Sequence, residues 1–451
     1  MPGINGTLEM ARRALLTQQA ALGVTGENIA NVNTPGYARR RANVTPGPTL
    51  TTPEGTYGSG VMIKNINSIR DPFVETQIRR AMGDSGRYDE SNRQLSMVEG
   101  MVGSLGDTGL TTSLDRFWNS WHDLAADPTS RGARSAVLEA AVGLTNRFQA
   151  LNANLSNHEN AVGGLIASKI DRVNELTAQL ARMNGEMVGK GSPGEIDDGR
   201  TAVIDELAML SGAEYKLTVE GTVSLRINGV SIVEGRQSRT LTYDFDGRGK
   251  PVVQPLTTGG SVPKFATGEI AGLFSVVEND MVDLRDSLDR IAVSVALEVN
   301  QIHATGVDAS GATALSFFKE NITGMGNFGV STLIMEDTGK IAAELTPGSG
   351  DNQIALAIAE LQNKGIIDGE TVGDAFQAAV TELGASIREN EMMSEAATSS
   401  LKQMQSYRES ASGVSIDEEM SNLLRQENAY NAAAKLTQTL SQMLDTILTI
   451  G

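Results

Sequence analysis

The sequence predicts a mainly α-helical protein with a small β insert. Three observations predict it: heptad seams at both chain ends, long apolar-periodic stretches between them, and one short block of alternating residues broken by tight-turn pairs. Long helices from both ends are expected to form a bundle or coiled-coil core, with an antiparallel β domain inserted between interior helices. The chain has 451 residues, enough for several domains and a sizeable core.

Near the start, Ile4, Leu8, Ala11, Leu15, Gln18, Leu22, Thr25 and Ile29 follow in alternating steps of four and three, a seam along one helix. The helix is expected to stop at Asn33, Thr34, Pro35, Gly36 and Tyr37, where Pro and Gly fit the central positions of a type II turn. Residues 135–188 read as a long helix or two. Phe148, Leu151, Leu155, His158, Val162 and Leu165 form one seam, and Ile170, Val173, Leu180, Met183 and Met187 another. The two do not share a register, so a stutter or bend is expected near Lys169.

The block 213–262 changes period. Val223, Leu225 and Ile227 alternate, Asn228-Gly229 turns the chain, and Val230 and Ile232 alternate again, a strong hairpin signal. A second turn is expected at 243–247. A cleaner heptad run then covers Phe274, Val277, Met281, Leu284, Leu288, Ile291, Val295, Glu298 and Ile302. Residues 306–350 are glycine-rich and read as irregular with a few short strands, and 372–407 as a further helix. The last helix follows Gly413 and carries Asp417, Glu418 and Glu419 in its first turn, where the dipole favours negative charge. Ile416, Leu423, Tyr430, Thr437 and Leu444 lie seven apart on it, with Glu419, Gln426, Ala433, Leu440 and Ile447 interleaved. The expected division is a terminal coiled-coil domain from 1–60 and 408–451, a central helical bundle from 61–212 and 263–407, and the β insert at 213–262.

Composition narrows the function. Without cysteine, disulfides and thiol chemistry are excluded. A net charge of −18 argues against general binding to nucleic acid, which needs a basic surface. Apolar runs are too short to span a bilayer, and residues 1–30 lack the basic start and apolar block of a cleaved leader. His122, His158 and His303 have no ligand spacing, and no cofactor or metal is expected.

Each candidate for chemistry is weak. The stretch 185–191 resembles a phosphate loop, but its glycine spacing is one residue short and no Ser or Thr follows Lys190. Asp244 and Asp246 begin a calcium-like loop that ends on Pro255 where a Glu is needed. Glu195, Asp197 and Asp198 lead into a helix and read as dipole partners rather than as an acid/base pair. His158 sits on a seam with no relay partner. Arg39, Arg40 and Arg41 read as a solvated charge run, or alternatively as a contact to an acidic neighbouring subunit.

The terminal seams are more informative. Ala11, Gln18 and Thr25 on one, and Gln426, Ala433 and Thr437 on the other, make a two-helix coil that is weak alone. Pairing inside one globular chain is the bland reading, and coverage by further copies is the sharper one. The assembly residues are then Ile4, Leu8, Ala11, Leu15, Leu22 and Ile29 with Leu423, Tyr430, Ala433, Leu440, Leu444 and Ile447.

Residues 27–37, with Asn31, Asn33, Thr34, Pro35, Gly36 and Tyr37, resemble the N-terminal signature of flagellar rod, hook and hook-associated proteins. Within that group, Gly58 to Val61, Ile69 to Phe73 and Gln77 to Arg79 resemble the hook-associated protein 1 family, as do Asn300 to Asp308 with Gly311, Phe317 and Phe318. At the C-terminus, Ser412 to Glu419, Leu423, Leu424 and Asn428 to Tyr430 do so too. The stretch 195–201 departs from the family's usual pattern, and the short β region implies that the outer domain of larger members is missing.

The resemblance implies a non-enzymatic structural subunit of the hook–filament junction, required for filament assembly. It would be secreted without a cleaved leader through the flagellar type III export apparatus. A ring of about eleven copies would form at the distal end of the hook, touching the hook protein and the second junction protein. An export chaperone would cover the C-terminal helix. The weak terminal seams themselves lead to the expectation that both terminal helices are largely disordered in the free monomer and fold on assembly. The alternatives are another axial protein (hook subunit or second junction protein) and a secreted, flagellum-borne enzyme.

Overall fold

The structure is a computed structural model. It describes residues 4–34, 37–52, 55–103, 109–187, 194–218, 221–245, 251–255, 263–313, 315–346 and 349–450. Helix α1 (Ile4–Ala30) is followed by a two-part β ribbon: β1 (Arg40–Pro46) pairs antiparallel with β4 (Val61–Ser68), and β2 (Thr49–Thr52) with β3 (Gly55–Gly58). Then come α2 (Pro72–Val102), α3 (Leu110–Ala126), α4 (Arg131–Met187) and α5 (Gly194–Ser211). Asp71 caps α2 by accepting from the Phe73 and Val74 amides, and Pro72 occupies the first turn, where its missing N–H costs nothing.

The insert is a four-stranded antiparallel sheet of β5 (Glu214–Leu217), β6 (Val223–Ile227), β7 (Val230–Glu234) and β8 (Gln237–Ser238), then a hairpin of β9 (Leu241–Phe245) and β10 (Pro251–Pro255). The expected turn joins β6 to β7, with φ of 45° at Asn228 and 81° at Gly229. The turn joining β9 to β10, with Asp246, lies outside the described residues. Helix α6 (Glu269–Ser275) runs through a π-helical turn (Val276–Asp280) into α7 (Met281–His303). The short α8 (Thr332–Glu336) and α9 (Gln353–Ala359) precede α10 (Val372–Ser412) and α11 (Ile416–Ile450).

Helix α4 is the spine. Its 57 residues span roughly 85 Å. The buried row runs Val137, Ala141, Leu144, Phe148, Leu151, Leu155, His158, Val162, Ile166, Ile170, Val173, Thr177, Leu180 and Asn184. From Leu155 onward the steps are three, four, four, four and three, so the register change is a stutter inside one unbroken helix. It puts Ile166 inward and leaves Leu165 exposed, against the expected seam. Against this spine pack α3, α5, α6 and the inner face of the sheet, and α10 runs antiparallel along α2.

Helices α2, α5 and α6 touch backbone to backbone. The Gly268 amide donates to the Gly83 carbonyl at 2.9 Å. A Cβ at Gly86 would lie 2.7 Å from the Met209 carbonyl, and one at Gly272 would run into that of Arg87.

Aromatic residues are scarce but concentrated. Both tryptophans, Trp118 and Trp121, meet Phe117, Phe148, Phe317, Phe318 and Phe328 in one cluster. Much of this cluster comes from the stretch expected to be irregular. That stretch forms isolated bridges, such as Phe318 with Val330, rather than strands, and its Phe317, Met325, Phe328 and Ile341 are fully buried. It is fastened by α7: the Asn300 amide brackets Phe318, accepting from its N–H (2.8 Å) and donating to its carbonyl (3.3 Å). His303 Nδ1–H donates to the Leu315 carbonyl (2.5 Å) and Nε2 accepts from the Ala342 N–H (2.9 Å).

Two expected domain limits need correction. The limit at 60/61 separates β1 from its partner β4, and the limit at 407/408 cuts α10. A ribbon packed on α1 cannot be divided without leaving ladder groups unpaired.

Burial lowers the His303 pKa from 6.5 to about 4, against a raising effect of the Leu315 carbonyl. The unfolded chain then binds a proton below pH 6.5 that the folded one refuses. His303 should thus contribute on the order of 3 kcal/mol above pH 6.5, lost as pH falls toward 4. In denaturant unfolding, the gap between the natural chain and His303→Gln should shrink by about that amount between pH 7 and pH 4.

Candidate assembly interface

Helices α1 and α11 lie antiparallel, joining the two chain ends into one axial pair. Thr25 Oγ1 donates to Gln426 Oε1 at 3.1 Å, and Asn28 Nδ2 to Glu419 Oε2 at 3.1 Å. Continued along both helices, that register sets Ala11 level with Leu440, and both are buried.

The predicted seam faces this contact unevenly. Ala11, Ala433 and Leu440 are buried, while Ile4, Leu8, Leu15, Leu22, Ile29, Leu423 and Leu444 are half-buried. Tyr430 lies at the edge and Ile447 is 55% exposed. A second buried row on α1, Thr17, Ala21, Val24 and Asn28, runs one residue off the predicted one. It faces the ribbon, where Thr17 Oγ1 donates to the Val61 carbonyl at 3.2 Å. Leu16 on α1 and Leu436 and Met443 on α11 are about half exposed. Apolar area on the pair thus remains uncovered within one chain.

What closes the pair is polar. Asn28 is 1% exposed and satisfies its whole side-chain amide. Its Oδ1 accepts from the Arg40 N–H (2.9 Å) and the Tyr37 hydroxyl (3.0 Å), and its Nδ2 donates to the Arg40 carbonyl (2.9 Å) as well as to Glu419. Glu419, 2% exposed, takes two hydrogen bonds from Arg39 at 2.6 and 2.8 Å, and Arg39 also reaches Glu418 at 2.7 Å. Burial works against the Arg39 charge, yet these carboxylates hold its pKa above the ordinary value.

The turn motif serves this lock. Asn31 Nδ2 donates to the Glu27 carbonyl, and the Thr34 hydroxyl donates to Asn31 Oδ1. The Tyr37 amide donates to the Thr34 carbonyl, returning the Tyr37 ring to α1 beneath the Arg40 guanidinium. Burial raises the Tyr37 pKa. Asn33 is exposed, and Pro35 and Gly36, with the expected type II turn, lie outside the described residues.

The arginine run is therefore not a solvated stripe. Arg39 and Arg40 are paired within the chain, Arg40 with Glu27 (3.1 Å) and Asp198 (2.6 Å), and only Arg41 is exposed. Asp198, expected as a dipole partner, binds Arg40 and Arg70 across elements. Asn28 escaped the seam reading because it falls one step off the heptad row; a buried-phase Asn within the 27–37 signature was the available signal. In the structure both terminal helices are formed and lie paired along this contact. The polar lock supplies the docking that the apolar seam lacks.

Among the described residues no group of His, Cys, Asp or Glu could hold a metal ion, and no helix is long and apolar enough to cross a membrane. His158 is buried on the α4 seam, and burial lowers its pKa. Gly185 belongs to α4, and the rest of the loop to Gly191 lies largely outside the described residues.

Comparison with known families matches the "Flagellar hook-associated protein FlgK helical domain" to residues 95–318. "Flagella basal body rod protein" matches 8–37, and "Flagellar basal body rod FlgEFG protein C-terminal" matches 405–450. Flagellar hook-associated protein 1 of Bacillus subtilis is 29% identical over 98% of this chain and 97% of its own length. The chain belongs to the flagellar hook-associated protein 1 family. The family's Salmonella typhimurium member is 24% identical over 99% of this chain and all of its own. That alignment runs over 553 positions, so the relative carries segments that this 451-residue member lacks. The flagellar hook junction protein FlgK from Burkholderia pseudomallei shares the fold, with a TM-score of 0.67 at 14% identity over 75% of this chain and all of that one.

Replacing Asn28 with Ala should strand the Arg40 backbone groups and one Glu419 oxygen. It should weaken docking of α11 by about 2–4 kcal/mol. Hydrogen exchange should show α11 amides between Glu419 and Leu440 exchanging about a hundredfold faster, with α4 unchanged.

Proposed function

We propose that this chain is a structural, non-enzymatic subunit of the bacterial flagellum that forms the junction between hook and filament and is required for filament assembly. One observation carries the reading: an axial pair built from both chain ends, locked by polar contacts yet with Leu16, Leu436, Met443 and Ile447 left about half exposed. Each such residue, once covered, contributes about 1–2 kcal/mol, and neighbouring copies around a tube supply that cover. A ring of about eleven copies, joined head to tail, fits such repeated contacts. The seam residues named above, with Tyr430 and Ile447 at its open edge, are the proposed self-contacts. Asn31, Thr34 and Tyr37 hold the pair in shape.

The remaining partners follow from the family: the hook protein below, the second junction protein above, the type III export apparatus during secretion, and an export chaperone on α11. The terminal pair with its ribbon forms the proposed axial domain, the helices 72–212 and 263–412 the bundle, and 213–262 the insert. The helical-domain match over 95–318 favours this reading over a hook subunit, whose middle is typically β-rich.

The test is Leu440→Asp in a strain deleted for the gene. A carboxylate on the closed seam has no partner there and is costly to bury. Cells carrying it should make hooks without filaments and release unpolymerised filament protein, while the purified variant keeps the near-ultraviolet signal of Trp118 and Trp121. Normal filaments in that strain would remove the seam from the assembly contact. Normal motility in the deletion strain, with altered wall digestion, would favour an enzyme.

A further inference from the structure

The two halves of α10 are held differently. In the first half Phe376, Ala379, Leu383 and Ile387 form a buried apolar row, and Ala379 and Leu383 meet Leu284 of α7 around one cleft. Among the described residues of α10, Ala397 is the one buried apolar side chain beyond Ile387. The second half is held to α2 by hydroxyls, with Ser394 donating to Asp89 and Thr398 beside Ser85 at 3.4 Å.

Where the apolar row meets α7 stands Asp280, the last residue of the π-helical turn. Such turns inside α-helices are rare and recur at functional sites. The half-buried Asp280 carboxylate accepts from Ser386 Oγ of α10 at 2.5 Å. The cleft beside it, about 270 Å³, is lined by Asp283 and Ser287 of α7 and by Glu382 and Glu389 of α10. Among the described residues no Lys, Arg or His lines it. Helix α2 also packs on the π turn and contributes no side chain to the cleft. Ionised, Asp280 is therefore a partly desolvated charge that faces three more carboxylates and no cation. Protonated, it keeps the Ser386 bond and loses the repulsion.

We infer that Asp280 is an acid-closed latch on α10: ionised, it keeps α7 and α10 loosely joined at residues 379–389; protonated, it lets that seam close and secures the half of the helix beyond it. Burial is the main cause that lifts the Asp280 pKa, against the bonds from Ser386 and its own amide, and the charges of Asp283 and Glu389 lift it further. The folded chain thus holds this proton more tightly than the unfolded one. The contribution to stability grows as pH falls and is lost as pH rises through the raised pKa. Its sign is opposite to that of His303, whose folded form refuses a proton. The latch lies wholly within the bundle, and neither the terminal helices nor assembly enters it.

Hydrogen exchange on the full chain, with rates corrected for the intrinsic effect of pH, tests the latch. Between about pH 7.5 and about pH 5, amides from Ala379 to Ala397 should gain about tenfold in protection, the linkage of one pKa unit. Asp280→Asn keeps the shape and an acceptor for Ser386. In it the same amides should be protected to the acid level at both pH values. His303 acts equally in both chains and cancels from the comparison. Protection that does not change with pH in the natural chain would overturn the latch, and so would a gain that persists in Asp280→Asn. Loss of the Trp118 and Trp121 near-ultraviolet signal in Asp280→Asn would overturn it too, because the ionised carboxylate would then hold the bundle together rather than loosen it.

Discussion

The fold depends on one repeated interaction: a helix-borne asparagine that grips a single residue of a non-helical segment by both its N–H and its C=O. Asn28 does this to Arg40, Asn174 to Leu241, Asn184 to Val223 and Asn300 to Phe318. The primary amide offers a donor and an acceptor at the spacing of a peptide group, so it acts as a one-residue strand partner. Ribbon, sheet, hairpin and the 304–371 stretch are each tied to a helix this way. These segments are too short or too irregular to satisfy their own backbone. The helices can therefore carry long loops without exposing unpaired polar groups, and the loops can contribute core residues such as Phe317 and Phe318.

Two kinds of cohesion divide the molecule. The bundle closes on apolar contact around α4, with backbone-to-backbone approach at Gly83, Gly86, Gly268 and Gly272. The axial pair closes on Asn28, Arg39 and Glu419, with a thin apolar seam beside them. A buried charge pair is weak evidence for stability and better evidence for a fixed register. Here it fixes which turn of α11 meets which turn of α1. The apolar surface is left to whatever packs against the pair from outside.

The helical class, the hairpin at Asn228-Gly229 and both terminal helices were legible from period alone, because apolar spacing reports directly on which face is covered. The register change in α4 was legible too, though not that the helix would absorb it unbroken. Its cause, the switch from Leu165 to Ile166, needs knowledge of the neighbours. The polar lock was not legible: Asn28 lies one step off the heptad row, and its partners Arg40 and Glu419 are respectively near and far in sequence. Nor could the buried aromatic core of 304–371 be read, since its periodicity is neither helical nor extended. The tie from Asn300 and His303 becomes visible only once α7 has its neighbours.

The antiparallel meeting of the two chain ends carries a kinetic consequence. Thr25 and Gln426 are 401 residues apart in sequence, and closing so long a loop directly is entropically unfavourable and slow. Once α2 and α10 have docked, the ends of those two helices stand next to each other, and the effective loop shrinks to the few linking residues. The bundle is thus the template on which the termini find one another. A chain that emerges gradually keeps its first helix waiting, unmatched, until the very last residues arrive.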